Sequence, residues 1–372
     1  MSSLRLAIVN AYRKYTGSTA AAWQYYRGLK SIGAVPKWYQ CVSSGRPEEW
    51  NTDGVVIRGV TIFHEPLNQV INAFTDFPTK LASLGEEITL LTDPILLRSA
   101  PKLRHVTLLV HDMREFGPYR RSWLATQVYR QLFRALPSVE RIICVSRATQ
   151  TRLEEVAQPS APIHVIHHPG MVLGDAKVHL EGALKRIEQD RSLSVLYVAA
   201  DRPYKNIAMF IRLAKAIETQ RRDLSIKFRL VSTLRESTAA AIRRFHLSNL
   251  EVVPSISDWK TAYQATDVLV HPSLEEGYGL PLVEAMQFGI PIVSTDIPAV
   301  RETVSGGGQL LSPECDQDWI DAITSLTNKD RYQYWAAASA GQGQNYTAEK
   351  FLAQLRGVFS ELVADGDRRS SD

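Results

Sequence analysis

Two glutamates, Glu276 and Glu284, stand eight positions apart in the run HPSLEEGYGLPLVEAM, residues 271–286. Gly277, Tyr278, Gly279 and Leu280 lie between them, ahead of Pro281. An ionised carboxylate only accepts hydrogen bonds, and it can accept from two adjacent hydroxyls at once, as on a ribose or a hexose. Each such charge-assisted bond is worth roughly 1.5–3 kcal/mol. The glycines let the backbone come close to a ligand, and a helix N-terminus just beyond them favours a phosphate. Glu284 is therefore read as a ribose acceptor and Glu276 as a hexose acceptor, on opposite sides of a pyrophosphate.

The elements that must position them can be read from the same run. DVLVHPS, residues 267–273, is a short apolar stretch of strand type, and Gly277, Gly279 and Pro281 mark a tight loop followed by a helix. Pro281 suits the first turn, where its missing N–H would have no partner, and LVEAM continues the helix until Gly289 stops it. Glu284 is expected in the first turn. The competing reading is two acids that complement a helix dipole, worth roughly 0.3–1 kcal/mol.

The run from His271 to Thr303, with EGYGLPLVEAMQFGIPIVSTDIPAVRET at its centre, resembles the donor-site signature of the retaining glycosyltransferases of family four. The glycines, the proline, the Glu-Ala-Met and the following Gly-x-Pro strand coincide with that signature. The resemblance implies the GT-B fold, two Rossmann-like doubly wound domains facing across a cleft, with a C-terminal helix crossing back to the N-domain. It assigns Glu276 to the donor sugar and Glu284 to the ribose, and implies donor contacts from Gly277, Tyr278, Gly279 and Leu280. It also implies same-face transfer of a hexose, with the leaving phosphate accepting the proton and no essential metal. Three further parts of the chain extend it. In LYVAADRPYKN, Lys205 matches the lysine that holds the donor diphosphate, while the family's Gly-Arg reads Ala199-Ala200 here and Arg202 lies two positions on. In HVTLLVHDM, His111 matches a histidine near the transferring sugar, with Asp112 able to orient it or cap the next turn. In AYRKYTGSTAAAW, Gly17 stands for the family's Gly-Gly pair, although a helix start capped by Thr16 or Ser18 explains it nearly as well. Ser146 reads first as an N-cap, and Glu302 as either helix-turn placement or a ligand contact.

Around these residues, 372 positions exceed what one core usually supports. Apolar runs alternate with helical patterns: LRLAIVN, KWYQCV, VVIRGVTIF, EITLLTD, HVTLLVHD, RIICVS and IHVIHH, then, after HHPGMVLGD, LSVLYVA, IKFRLVS, LEVVPS, DVLVHPS, PIVSTD and GQLLS. This is an α/β pattern of two parallel sheets covered by helices. The expected division is an N-terminal acceptor-side domain over 1–172, a donor-side domain over 173–346, a returning helix over 347–365 and a disordered tail over 366–372. Ligands in such sheets bind at the carboxyl ends of strands.

Composition narrows the partners. Cys41, Cys144 and Cys315 are odd in number and widely spaced, which suggests neither a disulfide framework nor a zinc site and fits a cytoplasmic setting. Asp316-Gln317-Asp318 opens an amphipathic helix and is a dipole-favourable first turn rather than a metal motif. His164, His167 and His168 read as polar residues near the boundary between the halves. No apolar run is long enough to span a bilayer. Net charge is +4, and no nucleic-acid module accompanies it. Over 113–134, MREFGPYRRSWLATQVYRQLFR, a helix is expected with Arg120, Arg121, Arg130 and Arg134 on one half beside Trp123, and with Leu124, Val128, Tyr129 and Leu132 packed on the other. That cationic face is either a docking surface for an anionic membrane or simply solvated. The function implied is transfer of a hexose, mannose being the favoured one, from a GDP- or UDP-sugar to a glycan or lipid-linked acceptor. A catalytically silent sugar-nucleotide-binding partner, or a sugar-nucleotide epimerase or phosphorylase of the same architecture, are the alternatives.

Overall fold

The computed structural model describes residues 5–11, 17–42, 55–58, 67–120, 122–172 and 174–369. The chain divides into two units: Met1–His168 together with Ala348–Asp372, and Pro169–Thr347.

Unit 1 holds a seven-stranded sheet built from β1 (Arg5–Asn10), β2 (Val35–Val42), β3 (Val55–Arg58), β4 (Ile88–Leu91), β5 (Val106–Val110), β6 (Arg141–Cys144) and β7 (Ile163–Val165). The order is β3-β2-β1-β4-β5-β6-β7, and every pairing is parallel. β4 and β5 are buried along their whole length, whereas edge strand β7 is only partly covered. Continuous burial is what helices on both faces of a parallel sheet produce, and it explains why these strands read as unbroken apolar runs. The helix Ala348–Arg369 packs on the helix Gly17–Ser31. A Cβ on Gly28 would meet Leu355 Cδ1 at 2.6 Å, and Tyr25 lies edge-on to Phe351 at 5.3 Å. The tail expected to be disordered from 366 is helical through Arg369, and 370–372 lie outside the described residues.

Unit 2 holds a six-stranded sheet of β8 (Ser192–Val198), β9 (Ser225–Val231), β10 (Leu250–Val253), β11 (Val268–His271), β12 (Ile292–Thr295) and β13 (Gln309–Leu311), in the order β10-β9-β8-β11-β12-β13, again all parallel. The helix Ile207–Gln220 shows how it is covered. Ile207, Phe210, Ile211, Ala214 and Ile217 recur at helical spacing and are all buried against the sheet. Fully burying a side chain such as Phe210 contributes about 1.5–3 kcal/mol. The chain leaves β8 toward β9 on one side and reaches β11 on the other, so the loops after β8 and β11 diverge at their carboxyl ends. Such a switch point leaves a crevice where ligands bind in doubly wound sheets.

The helix expected over 113–134 is shorter. Gly117 and Pro118 interrupt it after a 3-10 turn at Arg114–Phe116, and the helix proper runs Trp123–Phe133, with Ser122 Oγ accepting from the Ala125 N–H at 3.1 Å. Leu132 and Phe133 are buried, but Leu124, expected on the packed half, is 64% exposed beside Trp123 at 68%.

Candidate nucleotide-sugar site

The loops after β8 and β11 in unit 2 are tied together before any side chain meets a ligand. The Leu274 N–H donates to the Tyr204 carbonyl at 2.7 Å. The Tyr197 hydroxyl bonds the Lys205 carbonyl and lies 3.1 Å from Ser273 Oγ, bridging the same two segments from below. Across this stitch Lys205 Nζ donates to Glu276 Oε1 at 2.5 Å, and His271 Nε2 lies 2.8 Å from the same oxygen. Glu276 is largely enclosed, its side chain 10% exposed. Burial alone would raise its pKa, but the Lys205 ammonium and the His271 bond outweigh burial and hold it well below the usual carboxylate range. Glu276 is therefore a fixed anion. Lys205, expected on a diphosphate, is instead engaged with this carboxylate and lies over the Tyr204 ring at 5.3 Å. An ammonium has three protons, so donors remain for a phosphate oxygen.

Glu284 is differently placed. The helix spans Leu280–Gln287, and Glu284 is its fifth residue, in the second turn rather than the first. The dipole explanation therefore loses its geometry, because that effect fades within the first turn. Its Oε2 accepts from the Tyr263 hydroxyl at 2.6 Å, and the Met171 N–H also bonds the carboxylate. Burial outweighs both bonds and pushes its pKa up to about 7. The two carboxylates thus differ: one is permanently charged by its neighbours, the other sits near the midpoint of ionisation at neutral pH.

The glycines have separate tasks. Gly279 caps the helix at φ +91°, and a Cβ there would meet Leu282 Cδ1 at 2.6 Å. Gly289 ends the same segment at φ +66°, where a Cβ would press on Ala176. Tyr278 is buried at 5% exposure, edge-on to Tyr346, and its carbonyl accepts from Thr303 Oγ1 at 2.9 Å. Arg202 opens the turn before Lys205. It is exposed, and its guanidinium has no ion-pair partner among the described residues. The neighbouring Asp201 is instead paired with Arg235 at 3.1 Å. Glu302 lies on the helix Pro298–Val304, whose Thr303 supports the loop.

His111 and Gly17 belong to unit 1. His111 follows β5; burial lowers its pKa to about 4, against smaller opposing effects of Asp112 and a bond to the Thr92 backbone. It is a neutral imidazole at physiological pH, with no partner for Nε2 among the described residues. Asp112 Oδ1 accepts from the Arg114 N–H at 3.1 Å, two residues on, just ahead of the 3-10 turn. Ser146 is an N-cap, its Oγ accepting from the Thr149 N–H at 3.0 Å. Gly17 opens its helix, while the preceding residues 12–16, Thr16 among them, lie outside the described residues. His168 is buried beside Gln24, Tyr25 and Phe351. Asp316 accepts from Arg212 Nε at 2.8 Å and Nη2 at 2.9 Å. Among the described residues no cluster of three metal-ligating side chains occurs, and no helix is long and apolar enough to cross a membrane.

Three residues at the site had no sequence reading. His271 closes β11 and reaches Glu276, Tyr263 reaches Glu284 from 21 positions upstream, and Tyr197 braces Lys205 from within β8. Only His271, within hydrogen-bonding range of a turn already singled out, had a local signal.

The two Rossmann-like units and the helix returning to unit 1 define the GT-B fold. Sucrose-phosphate synthase from Thermosynechococcus elongatus superposes with a TM-score of 0.77 over 97% of this chain and 100% of its own, at 16% identity. Anabaena Alr3699/HepE, solved with UDP and glucose, gives 0.75 over 96% and 99%, also at 16% identity. Residues 192–329 match the model of the family described as Glycosyl transferases group 1. Among curated relatives, the O-antigen chain mannosyltransferase RfbU of Salmonella typhimurium is 27% identical over 238 residues, 61% of this chain and 62% of that protein. A D-inositol 3-phosphate glycosyltransferase of Paenarthrobacter aurescens is 24% identical over 49% of this chain and 48% of its own length. The chain thus matches about half to three-fifths of the length of these relatives.

Proposed function

We propose that the protein is a retaining, metal-independent hexosyltransferase that moves a hexose, mannose being favoured, from a nucleoside diphosphate sugar to an acceptor hydroxyl on a glycan or lipid-linked glycan. The observation that carries this reading is the pair of unlike carboxylates at the switch point of unit 2, Glu276 clamped by Lys205 and Glu284 bonded by Tyr263. The matched domain covers both loops. The names of relatives support the sugar: an O-antigen chain mannosyltransferase and a lipopolysaccharide core mannosyltransferase of Rhizobium meliloti. That HepE was solved with UDP-glucose supports a nucleotide-sugar donor and keeps UDP beside GDP as the nucleotide.

In this reading Glu284 accepts from the ribose diol and Glu276 from hydroxyls of the hexose. Lys205, with Arg202 as the second cation, faces the diphosphate, and backbone around Gly277, Gly279 and Leu280 allows its close approach. As the bond between the anomeric carbon and the phosphate oxygen breaks, negative charge grows on the leaving diphosphate. A positioned ammonium lowers that barrier. The acceptor oxygen bonds to the anomeric carbon on the same face, and its proton passes to the departing phosphate oxygen. His111 and Gly17 are assigned to the sugar and the diphosphate from unit 1. Incubating the protein with GDP-mannose or UDP-glucose and an acceptor, with the anomeric configuration read by proton NMR, tests the reading. A retained configuration and loss of transfer in Glu276→Ala are expected. Absence of transfer or hydrolysis from every nucleotide sugar would leave a silent binding partner as the better description.

A further inference from the structure

His271, the last residue of β11, is fully buried, lies edge-on to Tyr197 at 5.7 Å, and accepts at its backbone carbonyl from Ser294 Oγ at 2.9 Å. Its Nε2 is 2.8 Å from Glu276 Oε1, and its Nδ1 has no partner among the described residues. A proton on Nδ1 would bury an unsatisfied N–H and set the Nε2 lone pair against a carboxylate oxygen, whereas a proton on Nε2 makes a charge-assisted bond. The ring therefore donates from Nε2. Lys205 donates to the same oxygen, so Oε1 is occupied twice while Oε2 takes no hydrogen bond from the described residues. The two donors differ mechanically. Lys205 is a point charge on a flexible stem, and the imidazole is a planar donor locked by packing.

We propose that His271 is the positioning residue that fixes the Glu276 carboxylate so that Oε2 meets the hydroxyls of the transferred hexose. This rests on the donor-site reading above. When Lys205 turns part of its bonding toward a diphosphate, His271 is the donor that stays on Oε1. The nucleoside diphosphate is gripped elsewhere in the site, so its affinity does not depend on His271; the sugar's contribution and the rate do.

The test uses the full chain with GDP and GDP-mannose, and with UDP and UDP-glucose, followed by calorimetric affinities and kinetics. His271→Leu is expected to bind the sugar nucleotide at least tenfold more weakly and to lose at least tenfold in kcat, with nucleoside diphosphate affinity within twofold of wild type. His271→Gln, whose amide nitrogen can reach Glu276, restores both to within threefold. Should the leucine variant not fold, His271→Asn keeps a polar group that falls short of Glu276 and is expected to show the same selective loss. Unchanged sugar-nucleotide affinity in the leucine or asparagine variant, or equal weakening of diphosphate and sugar nucleotide, overturns the positioning role while leaving the proposed function standing. A wild-type chain that binds neither pair overturns the proposed function and this role with it.

Discussion

Glu284 occupies a place where charging a carboxylate is costly, and its proposed partner, a ribose diol, needs it charged. With its pKa pushed up to about 7 by burial, donor affinity should strengthen as pH rises from 6 to 8, which calorimetry with the nucleoside diphosphate checks. Tyr263→Phe removes a bond that favours the ionised form, so the midpoint of that pH profile should move upward. The stability sign is opposite. Because the folded pKa lies above the unfolded value, the folded state holds the proton more tightly, and stability falls as pH rises from about 4.5 to 7 and is flat beyond. Glu284→Gln should therefore gain no more than about 3 kcal/mol at pH 8, little at pH 5, and lose donor binding at both. Denaturant unfolding at the two pH values reads this directly. The glutamate pair stood out in the sequence because turn residues and spacing marked it, and Lys205 because it matches a lysine of the family it resembles. Tyr263, which holds Glu284, was not, because only the folded sheet brings positions 263 and 284 together.

At the scale of elements, each of the thirteen apolar runs read in the sequence overlaps one of the thirteen strands among the described residues, since parallel strands buried on both faces leave unbroken apolar segments. Periodicity was less reliable where a helix met a loop. The arginine-rich stretch was read as one helix because its arginines fell on one half, yet Gly117 and Pro118 break it, and Leu124 points outward with Trp123. That outward pair, with the exposed Arg120, Arg130 and Arg134, is the surface that docking on an anionic membrane, one of the two readings of this face, would use; Arg121 lies outside the described residues. Trp123→Ala combined with Leu124→Ala should reduce cosedimentation with phosphatidylglycerol vesicles severalfold, and raised salt should weaken the wild type. The turn before the donor helix has a sharper requirement. Gly279→Ala should cost about 1–2 kcal/mol from its left-handed backbone, plus whatever the Leu282 overlap adds, measurable by thermal unfolding.

At the scale of the molecule, each unit has its own buried core, so the two should respond separately to damage. Deleting 348–372 removes Phe351, Leu355, Val358 and Phe359, all nearly inaccessible, from unit 1. Hydrogen exchange should accelerate across Gly17–Ser31 and leave β8 to β13 unchanged. The alternation of strand and helix made the two sheets legible, and the restart after the histidine-rich segment marked where one gives way to the other. The return of the last helix came from family resemblance, because its apolar stripe does not reveal which surface it will cover. That return also sets a timetable for synthesis. Unit 1, begun before unit 2, waits for a helix made after all of unit 2, residues 169–347, with the surface around Tyr25 and Gly28 uncovered until then. The half of the protein translated first is thus the half finished last, and its uncovered helix face is where a nascent-chain chaperone would be expected to bind.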